Sequence, residues 1–157
     1  MNETQNMMNW EHKVAGCELC EQVGGELIWQ NEQLRVILIN DPLFAGFTRV
    51  VWQEHVAELT DLEPEQRSLL MRTVCLVEQV QRDVLHPDKI NLASLGNMTP
   101  HLHWHVIPRY TDDACFPNPV WTLTAEQAKS AKPNRVDTVL LEDYVRALKI
   151  ALWSCAS

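Results

Sequence analysis

The spacing of apolar positions changes several times along this chain, and each change marks an element. Short runs rich in β-branched and aromatic residues at 26–29, 34–39 and 47–52 predict strands. The second run is almost continuously apolar, as suits a strand covered on both faces, and Asn40-Asp41-Pro42 ends it. A turn containing Gly46 then brings 47–52 back as its antiparallel neighbour. Between Thr60 and Leu85 the period lengthens: Leu69, Leu70, Thr73, Val74, Leu76, Val77, Val80 and Val84 recur at steps of three and four. That stripe predicts one long amphipathic helix lying on the sheet. Asp61 or Glu63 is suited to cap it, Pro64 to its first turn, and His86-Pro87-Asp88 to its end. Residues 89–95 and 101–109 read as a hairpin joined by Gly96-Asn97-Met98-Thr99-Pro100. The stretch 116–121 is too rich in proline for regular structure, and 140–153 has the spacing and Ala/Leu content of a final helix. The fold class predicted is α+β: an antiparallel sheet carrying one long helix, with an added C-terminal helix, in a single domain of 157 residues.

The strand at 101–109 differs from the others in chemistry. Three of the six histidines, His101, His103 and His105, alternate there with Leu102, Trp104 and Val106. Side chains on a strand alternate between faces, so the three imidazoles share one face at intervals of roughly 6.5–7 Å. Three titratable rings in one row carry a desolvation cost that an ordinary structural strand has no reason to bear. Such a row can engage a small anion, or it can hold a catalytic metal ion as in a metal-dependent hydrolase.

Charge narrows the partners. Thirteen Lys and Arg against 21 Asp and Glu give a net charge of −8 and a pI near 5.1, which argues against grip on a nucleic-acid backbone or an anionic membrane. A site for phosphate therefore has to supply its own local positive potential. Five cysteines are an odd number at low density, which favours free thiols or a metal site in a reducing, cytoplasmic setting. The polar stretch from Met1 to Ala15, with no signal-peptide-like apolar run, agrees with that expectation. Cys17 and Cys20 have the spacing of half a tetrahedral zinc site, of a redox pair, or of two unligated loop thiols. Residues 21–25 lead into a strand rather than into the helix a thioredoxin-like pair would want, so zinc is the stronger reading.

The run His101-Leu102-His103-Trp104-His105-Val106-Ile107, extended by Pro108-Arg109, resembles the signature of the histidine triad (HIT) family of nucleotidyl hydrolases and transferases. The order upstream of it is similar too: strand, Asn/Asp turn, Gly46, strand, then His55. The likeness covers residues 17–121, leaving 122–157 as a C-terminal extension with a helix. It implies attack by the middle histidine, His103, on the α-phosphate of a purine nucleotide substrate, through a covalent nucleotidyl-histidine, with His105 steadying the phosphoryl charge. The substrate classes implied are nucleoside phosphoramidates, dinucleoside polyphosphates and nucleotidyl-sugars. For His103 to attack through Nε2, its Nδ1–H should donate to a fixed acceptor, most simply a backbone carbonyl of the neighbouring segment. Relatives with an early Cys-x-x-Cys imply a structural zinc on Cys17, Cys20, His55 and His101. Asn40 or Asp41 matches the ribose-contacting position, and Asn97 and Thr99 stand where the leaving group is met. Asn97 replaces the usual glutamine and Met98 the usual serine or threonine, which keeps open a nucleotide-binding module without turnover. The resemblance also implies a homodimer.

Overall fold

The computed structural model describes residues 12–155, so most of the polar leader lies outside the described residues. Five strands form one antiparallel sheet in the order β1-β2-β3-β5-β4. They are β1 (Glu26–Gln30), β2 (Leu34–Leu38), β3 (Thr48–Trp52), β4 (Lys89–Ala93) and β5 (His103–Arg109). Before β1 a one-turn helix, α1 (Glu18–Glu21), follows Cys17 directly. The long helix α2 (Pro64–Leu85) crosses from β3 to β4, and α3 (Ala125–Lys129) and α4 (Thr138–Cys155) follow the sheet.

The registers decide what each face carries. Val50 pairs with Trp104 and Thr48 with Val106, while Arg49 pairs with His105 and Val51 with His103. The first set therefore shares one face and the second set the other. On the first face Leu34, Val36, Leu38, Val50, Trp52 and Val106 pack with Leu70, Val74, Val77 and Val80 of α2 and with Tyr144, Leu148 and Leu152 of α4. The predicted stripe of α2 is thus the core-facing one, with Leu69, Leu76 and Val84 partly buried at its margins. Each fully buried apolar side chain in this layer stabilises the fold by about 1.5–3 kcal/mol. The second face carries Ile37 and Val51 under Cys17, Leu19 and Cys20, and leaves the histidines beside them.

Local corrections follow from specific bonds. The helix expected from Thr60 starts at Pro64, where Glu63 N–H donates to Gln66 Oε1 at 2.9 Å; the preceding Leu59–Asp61 is a separate 3-10 turn. His86 ends it in the left-handed region at φ 46°. The strand expected from His101 starts at His103. His101 and Leu102 are drawn away by other partners: His101 N–H donates to Thr99 O at 2.8 Å, and Leu102 bridges Val56 O and Trp52 N–H. In the proline-rich stretch, Val120–Thr122 forms one 3-10 turn after a cis Phe116–Pro117 peptide bond. Gly46 has φ +88°, and a Cβ there would lie 2.6 Å from Leu85 Cδ1, so the turn needs glycine both for its backbone and for the helix behind it.

Candidate active site and metal cluster

Two groups of side chains meet where the chain enters β5. In the first, the ligand atoms of Cys17, Cys20, His55 and His101 all lie within 4.8 Å of one another, and this set can hold a metal ion. His101 Nδ1 is 3.5 Å from Cys17 Sγ and 3.4 Å from Cys20 Sγ, and His55 Nδ1 is 3.4 Å from Cys20 Sγ. His101 is buried, with Nε2 2.6 Å from Trp52 O. A carbonyl only accepts, so Nε2 carries the proton and Nδ1 turns its lone pair to the sulfurs, as a ligating imidazole must. Burial, chiefly, pulls the pKa of His101 down to about 4, and the ring is neutral at physiological pH.

The scaffold behind the cluster is one buried cation. Arg35, on β2, donates from Nε to Val23 O (3.1 Å), from Nη1 to Gln53 Oε1 (2.7 Å) and from Nη2 to Leu19 O (2.7 Å) and Gln22 O (3.3 Å). It therefore ties the segment that carries both thiols to the sheet. Burial lowers its pKa to about 10, with the charges of Cys20 and Cys17 opposing the shift, so it stays cationic beside them.

The second group is a cleft of about 340 Å³ lined by His103 and His105, by Arg49, by Glu18 and Leu19, and by the turn Leu95-Gly96-Asn97-Met98-Thr99. The His103 and His105 rings lie 4.9 Å apart at 71°. His103 Nδ1 is 2.6 Å from His101 O, which fixes the proton on Nδ1 and leaves Nε2 with a free lone pair. The acceptor is a backbone carbonyl, as expected, but it belongs to His101, two residues back on the same run, rather than to a neighbouring segment, and the same residue belongs to the candidate metal cluster. Ser94 Oγ donates to His103 O at 2.9 Å and anchors the start of the strand. Burial lowers the pKa of His103, and burial followed by the charges of His103 and Arg49 lowers that of His105 to about 3. Both rings are neutral near pH 7, the state in which a nitrogen lone pair can attack.

The other sequence-predicted residues divide. Asn97 and Thr99 line the histidine cleft. Asn40 lines a separate groove with Leu141, Glu142 and Val145 of α4, and Asp41 Oδ1 accepts N–H groups of Leu43 and Phe44 in the turn. Among the described residues the three signature histidines do not form one ligand group, because His101 faces the thiols instead. Sequence reasoning missed Arg35 and Arg49. The signal was present: a charged residue inside an otherwise apolar strand is buried only with a partner or a task.

Comparisons with known proteins bear on the family and the fold. The family model for the HIT domain matches residues 21–112. The bis(5'-nucleosyl)-tetraphosphatase [asymmetrical] of Schizosaccharomyces pombe is 28% identical over 96 residues, 58% of this chain and 53% of that enzyme. The chain thus spans about half the length of that curated relative. Among solved structures, a histidine triad protein from Bradyrhizobium japonicum superposes with a TM-score of 0.71 at 27% identity, covering 91% of this chain and 100% of the other. A Zn-bound histidine triad family protein from Mycobacterium smegmatis shares the fold, with a TM-score of 0.56 at 24% identity over 90% of this chain and 96% of that one. With its histidine pair at the cleft, its sheet and helix order, and a family model spanning more than half of its residues, the chain belongs to the HIT domain family.

Proposed function

We propose that this protein is a nucleotidyl hydrolase or transferase that works through a covalent nucleotidyl-His103 intermediate. One observation carries the reading: His103 Nδ1–H is held by the His101 carbonyl at 2.6 Å, so Nε2 is presented, unprotonated, to a cleft shared with His105. In the first step Nε2 forms a bond to the α-phosphorus of a purine nucleotide and the bond to the leaving group breaks, the leaving group taking up a proton from solvent that the attacking water of the second step returns. His105 and the Asn97 amide, with the Thr99 hydroxyl, donate to the phosphoryl oxygens and the departing atom. In the second step water attacks phosphorus, the P–N bond breaks, and His103 returns to its neutral form as the water proton leaves. Nucleoside phosphoramidates, dinucleoside polyphosphates and nucleotidyl-sugars are the substrates to compare, the second being the class named for the Schizosaccharomyces pombe relative. Neither Asn40, in its separate groove, nor Asp41, whose Oδ1 is engaged by the turn, is assigned a part in holding the ribose.

The test is turnover of these three classes side by side by the wild type and by His103→Asn. The substitution should leave nucleotide affinity within about tenfold and reduce turnover by at least about 10³-fold. Near-native turnover by His103→Asn overturns the proposal.

A structural zinc on Cys17, Cys20, His55 and His101 belongs to the same reading. Arms of about 2.3 Å to sulfur and 2.0–2.1 Å to nitrogen place S and N roughly 3.5–3.6 Å apart at a tetrahedral angle. The S···N separations of 3.4–3.5 Å fit that geometry, and Val14 N–H, 3.5 Å from Cys20 Sγ, supports a thiolate there. When bound, the ion would cross-link α1 to the chain ahead of β5. Metal analysis of protein purified without chelator should give one zinc per chain; none would remove this part. Such a pair of reduced ligand cysteines accords with a cytoplasmic location. A homodimer is proposed through the edge strand β4, where Leu92 is 40% exposed, and sedimentation at micromolar concentration tests it.

A further inference from the structure

The cleft has to bind an anion on a chain of net charge −8, and among the described residues lining it Arg49 is the one Lys or Arg. Arg49 stands directly opposite His105 in the β3–β5 ladder, so their side chains leave the sheet on the same face, with Cβ atoms about 5 Å apart. Its guanidinium carbon lies 5.5 Å from the centre of the Phe47 ring, and Phe47 also contacts the His105 ring at 5.5 Å. Phe47 thus limits the space open to both groups. The Nε–H of Arg49 is buried and has no hydrogen-bond partner. A buried, unpaired guanidinium N–H costs free energy, and an oxyanion drawn against Arg49 would recover it. The one acid lining the cleft is Glu18, an exposed residue whose charge acts on Arg49.

We propose that Arg49 is a catalytic residue that takes the non-bridging oxygens of the phosphoryl group undergoing transfer to His103, with Glu18 holding the guanidinium in check until that group arrives. This rests on the nucleotidyl-transfer reading above. A planar guanidinium can meet two phosphoryl oxygens at once, while His105 is neutral and offers a single N–H. Arg49 is then the positive charge that the acidic chain otherwise withholds from its substrate, and it recognises the phosphate rather than the nucleoside.

The test compares AMP with adenosine, and inorganic phosphate with neither base nor ribose, on the wild type, Arg49→Gln, Arg49→Lys and Glu18→Gln. Binding is read from the imidazole resonances of His103 and His105, and folding from urea unfolding. Arg49→Gln should weaken AMP and phosphate about 10–100-fold, leave adenosine unchanged and reduce kcat about 10²–10³-fold. Arg49→Lys should recover part of the affinity and less of kcat. Glu18→Gln, at an exposed position, should tighten phosphate about two- to fivefold, and it decides the matter if Arg49→Gln fails to fold. Equal AMP affinity and kcat in wild type and Arg49→Gln overturns the proposal, as does phosphate that leaves the wild-type imidazoles unmoved or is not tightened by Glu18→Gln. Failure here is separable from failure of the function: Arg49-dependent AMP binding without turnover sinks the enzymatic reading and with it the catalytic part of this one, leaving Arg49 as a phosphate-binding residue, whereas His103-dependent turnover indifferent to Arg49 sinks only this one.

Discussion

Replacing Arg35 with Met should loosen the metal cluster without touching any of its ligands. Among the described residues the wild-type guanidinium makes three short bonds, to Gln53 Oε1 and Leu19 O at 2.7 Å and to Val23 O at 3.1 Å, and a longer one to Gln22 O. Hydrogen bonds to a charged group contribute about 1.5–3 kcal/mol each, so the three short ones amount to roughly 4.5–9 kcal/mol. Against this stands the desolvation of a fully buried guanidinium, several kcal/mol, which Met does not incur. Met fills much of the volume but leaves these four acceptors to find water. The net loss expected is about 3–4 kcal/mol, or a fall in Tm of about 6–16 °C at this chain length. The assay is urea unfolding in strong chelator, which separates scaffold stability from metal linkage, alongside zinc titration of the refolded apoprotein. Zinc affinity should fall, because Leu19 and Gln22 flank Cys20 and Arg35 holds both their carbonyls. Arg35→Lys should recover less than half of the stability, since an ammonium cannot span the same acceptors as a fork. A loss below about 1 kcal/mol in chelator, with zinc affinity intact, would refute the reasoning.

Two further outcomes follow from buried polar groups. Thr48 Oγ1 donates to Gly46 O, so the Tyr144 hydroxyl, 2.7 Å away, donates to Thr48; Tyr144→Phe should cost about 1–1.5 kcal/mol in urea unfolding, and an unchanged midpoint would contradict that bond. His105 is held at about 3 by burial and by its neighbours, against about 6.5 in the unfolded chain. Its contribution is therefore complete above about pH 6.5 and is lost on acidification toward pH 3, because the unfolded chain takes up the extra proton. Wild-type stability should fall between pH 6.5 and 4 more steeply than that of His105→Gln, by about 1 kcal/mol per pH unit; parallel profiles would rule this out.

The long helix was legible because burial on one side imposes a period of three to four on α2, whereas β2 and β3, buried on both faces, were legible as nearly continuous β-branched and apolar runs, and β5 as the alternation of histidines with apolar residues. Cys17 and Cys20 were legible as half a candidate metal site from their spacing, and His55 and His101 joined them only through the family resemblance; the fold brings the four ligand atoms within 4.8 Å of one another. Alternation failed at His101, where Thr99 O, Val56 O and Trp52 N–H compete successfully with the sheet for the backbone of 101–102. Val56 and Trp52 are distant in sequence and invisible to a local pattern, while the Thr99 bond is a local turn that the alternation of histidines masks. The short helix α3 was missed although its signal was local, since Thr124 and Gln127 form a reciprocal cap at 2.9 and 3.1 Å. The C-terminal helix begins two residues before 140 because Asp137 Oδ1 accepts Leu140 N–H at 2.8 Å and caps it. Arg35 and Arg49 sit in runs whose apolar neighbours dominate the pattern, and their tasks appear only once α1 and β5 are beside them.

The central claim is that His103 carries the nucleotidyl group during turnover. Its most direct measurement is a rapid quench of a nucleoside phosphoramidate reaction, radiolabelled in the α-phosphate, followed by proteolysis and mass spectrometry at a pH that preserves phosphoramidate bonds. The label should be found on the peptide containing His103, rise and decay at rates that account for turnover, and be absent from His103→Asn. Label on another residue, or undiminished turnover by His103→Asn with no label on the protein, would contradict it.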